Sequence, residues 1–251
     1  MDSALELKRL RELALRAAHT GAAQYTRFME PSMMNDARAA ANRADVECAF
    51  YGGYDGAERV MAAFYLFEPP EPSEYPLCAL KISWNAKFAN PGHRDLLGAV
   101  MGLGLERDAL GDIALGACHG APCAWLFVTP EMADYVAANL DSAGRASVKA
   151  ERSDQAPEIA PPEGSEMRVT VQNPRLDAVL AAGYRLSRSE AQRCIAAGLV
   201  KLNHMPNLHT DARVEAGDLI SARGYGRLKV LSEAGESRRG RLILMLFKYG
   251  K

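Results

Sequence analysis

A short run near residue 190 combines hydroxyl groups, guanidinium groups and an amide within seven positions. It reads Ser187-Arg188-Ser189-Glu190-Ala191-Gln192-Arg193. Arginine donates paired hydrogen bonds that match the oxygens of a phosphate, and the free N–H groups at the start of a helix suit the same anion. The chemistry that this run favours is therefore the binding of a polyanion.

The charge of the chain supports the same chemistry, because it is divided unevenly. Residues 168–251 carry 15 Lys and Arg against 7 Asp and Glu, a net charge of +8, whereas residues 1–167 carry 15 against 24, a net charge of −9. The total of −1 hides this division. Each Lys or Arg that meets a phosphate releases condensed counterions, so the basic third is the expected polyanion-binding end.

Two helices must hold the basic run in place. Leu176, Val179 and Leu180 lie on one helical face and predict a first helix that ends near Gly183. Ser187 followed three residues later by Glu190 is a capping box, which predicts that a second helix begins there. Gly198 suits the left-handed residue that ends this second helix. Arg188, Ser189, Gln192 and Arg193 are then expected on its outward side.

A small sheet is predicted after these helices. Alternating residues favour strands at 200–203 and 217–223, and the apolar segment 242–247 favours a last strand. Asp177 and Asp218 are interpreted as structural, because Asp177 can pair with a nearby arginine and the Gly-Asp pair suits a turn before a strand.

This order of motifs resembles a known RNA-binding domain. Arg175-Leu176-Asp177, Ser187-Arg188, Gly198-x-Val200-x-x-Asn203 and Gly217-Asp218 closely resemble the domain named after small-subunit ribosomal protein S-four. His204 departs from that pattern, which usually has Gly after the Asn, so the shape of this loop stays open. The resemblance implies binding to structured RNA. The residues predicted to contact RNA are Arg175, Ser187, Arg188, Ser189, Gln192, Arg193, Lys201, Asn203, Arg223, Arg227 and Lys229.

The order of elements upstream predicts a different fold. Helices are expected at 3–18 and 32–44, and two strands at 46–51 and 60–67. From residue 77 the order becomes β-α-β-β-α-β, which is that of a ferredoxin-like or RNA-recognition-motif (RRM) sandwich. Trp125 and Phe127 on a central strand could stack on bases or simply pack against the sheet, and the sequence leaves both readings open.

The predicted fold class is α+β, in three parts joined by a linker. The boundaries are an N-terminal helical and hairpin module at 1–72, an RRM-like middle domain at 75–152, a linker at 153–167 and an S-four-type domain with a C-terminal strand at 168–251. The linker prediction rests on Pro157, Pro161 and Pro162 among several acidic residues, a composition that favours a flexible tether.

The segments His93 to Arg107, Gly111-Asp112-Ile113 and Gly224 to Arg227 resemble the YlmH family of bacterial RNA-binding proteins. That resemblance implies a cytoplasmic protein that binds ribosomal RNA and tRNA. It also implies action on stalled large ribosomal subunits that carry peptidyl-tRNA, in ribosome-associated quality control.

We expect no enzyme activity, no catalytic residue, no cofactor and no metal. The Arg175-Leu176-Asp177 run follows Pro174 rather than the glycine of a pseudouridine synthase motif, and the glycines at 98, 102 and 104 do not form a methyltransferase fingerprint. The five cysteines contain no Cys-x-x-Cys pair, and no apolar run is long enough to span a membrane. A monomer is expected. The alternatives are an RNA-modifying enzyme with an accessory S-four module, or an adaptor that links translation and cell division.

Overall fold

The computed structural model describes residues 3–118, 120–154, 157–159, 164–237 and 240–250. The chain divides into two compact units, Met1–Ala160 and Pro161–Lys251. Helices and antiparallel strands occur in both units, so the predicted α+β class is confirmed.

The first unit begins with a helical pair beside a small sheet. The elements are α1 (Ser3–Thr20), β1 (Gln24–Tyr25), α2 (Met34–Ala44), β2 (Glu47–Tyr51) and β3 (Met61–Tyr65). The three strands are antiparallel in the order β1-β3-β2. Alanines dominate the contact between the helices, because Ala14 and Ala17 of α1 share a core with Ala37 and Ala41 of α2. Such small side chains let the two helices approach closely.

A six-stranded sheet with two helices follows in the same unit. Its elements are β4 (Cys78–Trp84), α3 (His93–Gly102), β5 (Leu110–Cys118), β6 (Ala121–Val128), α4 (Pro130–Asn139), β7 (Ser142–Ala143), β8 (Ala146–Arg152) and β9 (Glu158–Ile159). The sheet order is β7-β8-β4-β6-β5-β9, so the central strands follow the 4-1-3-2 order of a ferredoxin-like fold. Leu80, Ile82 and Leu126 face α3 and α4 and are fully buried.

The opposite face of this sheet is also covered, by the N-terminal elements. Trp125 and Phe127 of β6 pack with Phe28, Met61 and Tyr75 in one buried cluster. Both sides of the sheet are therefore buried within one unit. The predicted boundary between the N-terminal module, which ends at residue 72, and the middle domain, which begins at residue 75, falls next to Tyr75 of this cluster. The boundary stays a prediction.

The second unit packs two helices on one face of a sheet. Its elements are β10 (Gly164–Val171), α5 (Leu176–Tyr184), α6 (Arg188–Ala196), β11 (Val200–Leu202), β12 (Met205–Pro206), β13 (Leu219–Ala222), β14 (Gly226–Glu236) and β15 (Leu242–Tyr249). The strand order is β10-β15-β14-β13-β11-β12, with all pairs antiparallel. Leu176, Leu180 and Ile195 of the helices share a core with Ile220 and Leu246 of the strands.

The predicted linker at 153–167 is wrong for its last four residues. Residues 164–167 belong to β10 and pair with the C-terminal strand, with Gly164 opposite Tyr249 and Met167 opposite Leu246. The partner strand lies about 80 residues later in the chain, so local composition could not reveal the pairing. Glu158–Ile159 pairs with β5. Residues 155, 156 and 160–163 of the linker prediction lie outside the described residues.

Candidate nucleic-acid interface

The start of α6 is fixed by the capping box that the sequence predicts. The Ser187 hydroxyl accepts a hydrogen bond from the Glu190 amide at 3.2 Å, and the Glu190 carboxylate accepts one from the Ser187 amide at 2.8 Å. Hydrogen bonds from Ser187 hold the pKa of the Glu190 carboxyl below its usual range. Gly198 follows the end of α6 and has a φ of 70°, which is the left-handed conformation that the sequence predicts there. Arg188 therefore stands at the first helical position.

Asp177 is the buried centre of the helical side. Its side chain has no solvent exposure, yet it accepts hydrogen bonds from Gln192 Nε2 at 2.8 Å, Arg188 Nε at 3.2 Å and Arg175 Nε at 3.3 Å. Burial alone raises the pKa of this carboxyl, but the three donors outweigh burial and the pKa lies below its usual value. The interpretation of Asp177 as a structural partner of arginine is confirmed.

We call the group of Arg175, Asp177, Arg188 and Gln192 the arginine clamp. Two guanidinium groups share one carboxylate, which leaves the clamp with a net charge of +1. The side chain of Arg188 is 57% exposed and that of Arg175 is 37% exposed. Each guanidinium has more donors than Asp177 uses, so the remaining N–H groups are oriented in advance for an anion such as phosphate.

Other predicted residues extend the clamp along α6. Ser189 and Arg193 are exposed, and the Ser189 hydroxyl lies 3.1 Å from that of Ser187. The first amides of the helix lie beside these hydroxyls, where the helix dipole also favours an anion. The structure therefore places Ser187, Ser189 and Arg193 near the clamp.

The structure also shows a groove that sequence reasoning missed. It has a volume of about 530 Å3, lies between the end of β10 and the two helices, and has both Arg188 and Arg241 in its wall. Arg241 donates a hydrogen bond to the Thr170 carbonyl at 3.1 Å. Gln172 and Asn173 complete the polar wall. Because Arg241 lies 53 positions after Arg188, no local pattern could have joined them.

Lys201, Arg227 and Lys229 lie on the other side of the second unit. Lys201 pairs with Ser221, and Ser221 pairs with Arg227 across the next strand. Their neighbours along each strand, such as Val200 and Leu228, face the helices in the core. Since successive strand residues point to opposite faces, these three cations point away from the helices. The predicted set is thus divided between a helical side and a sheet side.

Asn203 lies in the turn between β11 and β12, and its side chain stabilises this turn. Asn203 and His204 have φ values of 49° and 68°, so both adopt the left-handed conformation of a two-residue hairpin. The Asn203 amide donates to Asp218 at 2.7 Å and its oxygen accepts from the Leu219 amide at 2.9 Å. A histidine thus occupies a left-handed position where glycine is usual in the domain. RNA contact by Asn203 stays a prediction.

The turn role of Asp218 is confirmed. Its side chain accepts from the Glu215 amide at 2.8 Å, and its own amide donates to the Glu215 carbonyl at 3.2 Å. Arg223 follows β13 and is exposed, next to Tyr225. It stands at the end of the sheet, apart from the clamp residues in sequence, and its RNA contact stays a prediction.

Trp125 and Phe127 pack inside the first unit. Their side chains are 1% and 0% exposed. Tyr54 stacks on Phe127 with ring centroids 5.3 Å apart, and Phe28 lies in the same cluster. Of the two readings that the sequence left open, packing against the sheet is the one that the structure supports. These rings are not exposed to stack on RNA bases.

Two family models match the chain. The model described as "Putative RNA-binding domain in YlmH" matches residues 70–156, and the model described as "S4 domain" matches residues 174–220. The predicted S-four-type module is therefore confirmed. The second match contains the whole arginine clamp.

Whole-chain similarity extends these matches. The Bacillus subtilis (strain 168) protein "Ribosome-associated protein quality control protein P2" is 36% identical over 241 residues, which cover 95% of this chain and 90% of that protein. The chain belongs to the YlmH family. A solved structure, "Cell division protein ylmH from Streptococcus pneumoniae", is 22% identical with a TM-score of 0.47, and covers 61% of this chain and 92% of that one.

Membership in the YlmH family supports RNA binding as the general function. One matched model is described as a putative RNA-binding domain, the other is the S4 domain, and the relative is named for ribosome-associated quality control. Within the part of the chain that the structure describes, no helix is long and apolar enough to cross a membrane.

Proposed function

We propose that this YlmH-family protein binds RNA without catalysing a reaction, and that the arginine clamp is its main contact with phosphate. The observation that carries the proposal is the pair of arginines fixed on one buried carboxylate. An arginine that is already oriented loses less conformational entropy when it binds a phosphate. The clamp also lies beside the start of α6, where helix amides favour the same anion.

The proposed contact set keeps every residue that the sequence singled out. Arg175, Arg188, Gln192 and the adjacent Ser187, Ser189 and Arg193 act on the helical side. Arg223 acts at the end of the sheet, and Lys201, Asn203, Arg227 and Lys229 act on the sheet side. The residues divide into two sides because the core lies between α5 and α6 on one side and the strands on the other.

The proposed RNA is ribosomal RNA and tRNA on stalled large ribosomal subunits that carry peptidyl-tRNA. The support is the relative named for ribosome-associated quality control, whose sequence aligns over nearly the full length of this chain. The net charge of +8 on residues 168–251 suits a large RNA surface, while −9 on residues 1–167 limits non-specific binding by the rest. We propose that the protein works in the cytoplasm as a monomer.

The test compares single-charge variants in ribosome pelleting and in filter binding to a tRNA. Arg188→Ala and Arg193→Ala should each weaken binding. Each should also reduce the slope of log Kd against log salt concentration by about one, which corresponds to one lost phosphate contact. Lys8→Ala removes the same charge from an exposed position on α1 and serves as the matched control.

Equal affinities for all four proteins, each shown to be folded, would overturn the proposed contact surface. Binding of the wild-type protein to neither ribosomes nor tRNA would overturn the proposed RNA partners. A loss for the two helix variants with an unchanged Lys8→Ala supports both.

A further inference from the structure

The outer face of the second unit's sheet carries an aromatic pair, Phe247 and Tyr249. Phe247 and Tyr249 alternate on β15 with Leu246, which is fully buried in the core against the helices. The two rings are half-buried, and their centroids lie 5.0 Å apart in an edge-to-face arrangement. They therefore lie on the side that points away from α5 and α6.

Cations of the same face lie on one side of this pair, on β14 and β11. The guanidinium carbon of Arg227 lies 4.7 Å from the centre of the Tyr249 ring, which is a cation–π contact. Lys229 is directly opposite Phe247 in the strand register. Lys201 lies in the row of Arg227, two strands further out, with Ser221 between them. The aromatic rings of β15 therefore lie directly beside two cations of β14, with a third cation further out on β11.

The neighbouring edge strand presents a glycine to the rings. Gly164 of β10 is the register partner of Tyr249, and it has no side chain to cover that ring. A Cβ atom at Gly164 would lie 2.6 Å from the Phe247 Cζ atom, so the Phe247 ring packs directly on the backbone of Gly164. Glu166 is the partner of Phe247, and it is the acidic residue next to the pair.

We propose that this aromatic face binds unpaired RNA bases, with Phe247 and Tyr249 as stacking surfaces and Lys201, Arg227 and Lys229 on the adjoining phosphates. The proposal rests on the RNA binding proposed above and names the class of RNA that this second surface takes. A combination of aromatic rings with a basic surface is the arrangement that proteins use for single strands. Paired bases in a duplex hide the faces that the rings would contact.

Charge favours RNA over a protein partner here. Two cations lie next to the rings and a third lies on the same face, whereas the cores of protein–protein interfaces are depleted of charge and lysine is rare in them. The aromatic face is also separate from the arginine clamp, because the helices and the outer sheet face lie on opposite sides of one core. One straight duplex cannot lie against both surfaces at once.

The experiment compares a stem–loop RNA with a blunt duplex of the same stem, and places the fluorescent base 2-aminopurine in the unpaired loop. The variant Phe247→Leu/Tyr249→Leu keeps apolar side chains but removes both rings, and Phe247→Tyr/Tyr249→Phe keeps both rings as the matched control. We expect the leucine variant to bind the stem–loop at least tenfold more weakly, a loss of about 1.4 kcal/mol or more, because the stacking of bases on both rings is lost. Its affinity for the duplex should stay unchanged.

Fluorescence separates stacking from a general loss of structure. Wild-type protein and the ring-keeping variant should quench 2-aminopurine in the loop, and the leucine variant should not. Full quenching and unchanged stem–loop affinity with the leucine variant would overturn the proposal that the aromatic face binds unpaired bases. The proposal for the arginine clamp would not be affected. Wild-type binding to neither RNA would instead overturn the proposed function. Thermal unfolding of the variants, together with their duplex affinity, shows that they are folded.

Discussion

Arg188 Nε lies 3.2 Å from Oδ2 of Asp177, and this carboxylate has no contact with solvent. The same arginine is 57% exposed on its other side. Arg188 therefore links the interior of the second unit to its surface. Under the proposed function, a substitution at either residue should change stability and RNA binding together, so the two effects must be measured separately.

Substitution of Asp177 should destabilise the protein. Asp177→Asn keeps the size of the side chain but removes the charge that three donors share, Gln192, Arg188 and Arg175. We expect a loss of about 1–3 kcal/mol in the free energy of unfolding, because hydrogen bonds to charged groups are lost. Urea denaturation measures this, with Asp211→Asn as an exposed control. An unchanged midpoint would contradict the role of Asp177.

The same carboxylate should give the protein a dependence on acid pH. Its pKa in the folded protein lies below that in the unfolded chain, so its contribution is complete above about pH 4 and is lost as the pH falls through the folded value. As the pH falls below about 4, wild-type stability should therefore fall more steeply than that of Asp177→Asn. Parallel curves from urea denaturation at several pH values would show that Asp177 is not the source.

Arg188 should not be replaceable by lysine. Arg188→Lys keeps the charge but loses the planar group that bonds Asp177 through two nitrogens, at 3.2 and 3.3 Å. We expect weaker tRNA binding than in Arg193→Lys, whose exposed side chain acts by charge. Filter binding at two salt concentrations measures the difference. Equal affinities of the two lysine variants would show that the clamp geometry does not matter.

The packing of the N-terminal loop on β6 can be tested with two glycines. Gly53 and Gly56 both have positive φ values, 101° and 89°, so alanine strains the backbone at either site. A Cβ at Gly53 would lie 2.1 Å from the Phe127 ring, whereas a Cβ at Gly56 meets no atom within 4 Å. Gly53→Ala should therefore cost about 1–3 kcal/mol more in unfolding free energy than Gly56→Ala. Equal costs would mean that the loop does not pack on β6.

Asn203 should matter for stability. Asn203→Ala removes the bonds to Asp218 and to the Leu219 amide and should cost about 1–3 kcal/mol in the free energy of unfolding. Lys201→Ala changes an exposed side chain two positions earlier and should cost much less. Chemical denaturation of both variants distinguishes them. A fully stable Asn203→Ala protein would leave RNA contact as the only role proposed for this residue.

The sequence predicted those parts of the structure that depend on interactions between residues close together in the chain. The capping box at Ser187 and the end at Gly198 placed α6, because caps are formed by residues three or four positions apart. The order of elements in the middle of the first unit predicted its ferredoxin-like topology, because each helix and strand has its own local pattern and this order is typical of that fold. Composition alone located the basic third.

Tertiary structure decided what depends on distant partners. It joined residues 164–167 to the C-terminal strand, and it buried Trp125 and Phe127 under the N-terminal elements. It also placed Lys201 and Arg188 on opposite sides of one core. The sequence by itself determined that this chain has a basic end with S-four-type motifs, because charge and local motifs are additive along the chain. Only the packing of helices on one face of the sheet decided which of those residues can act together.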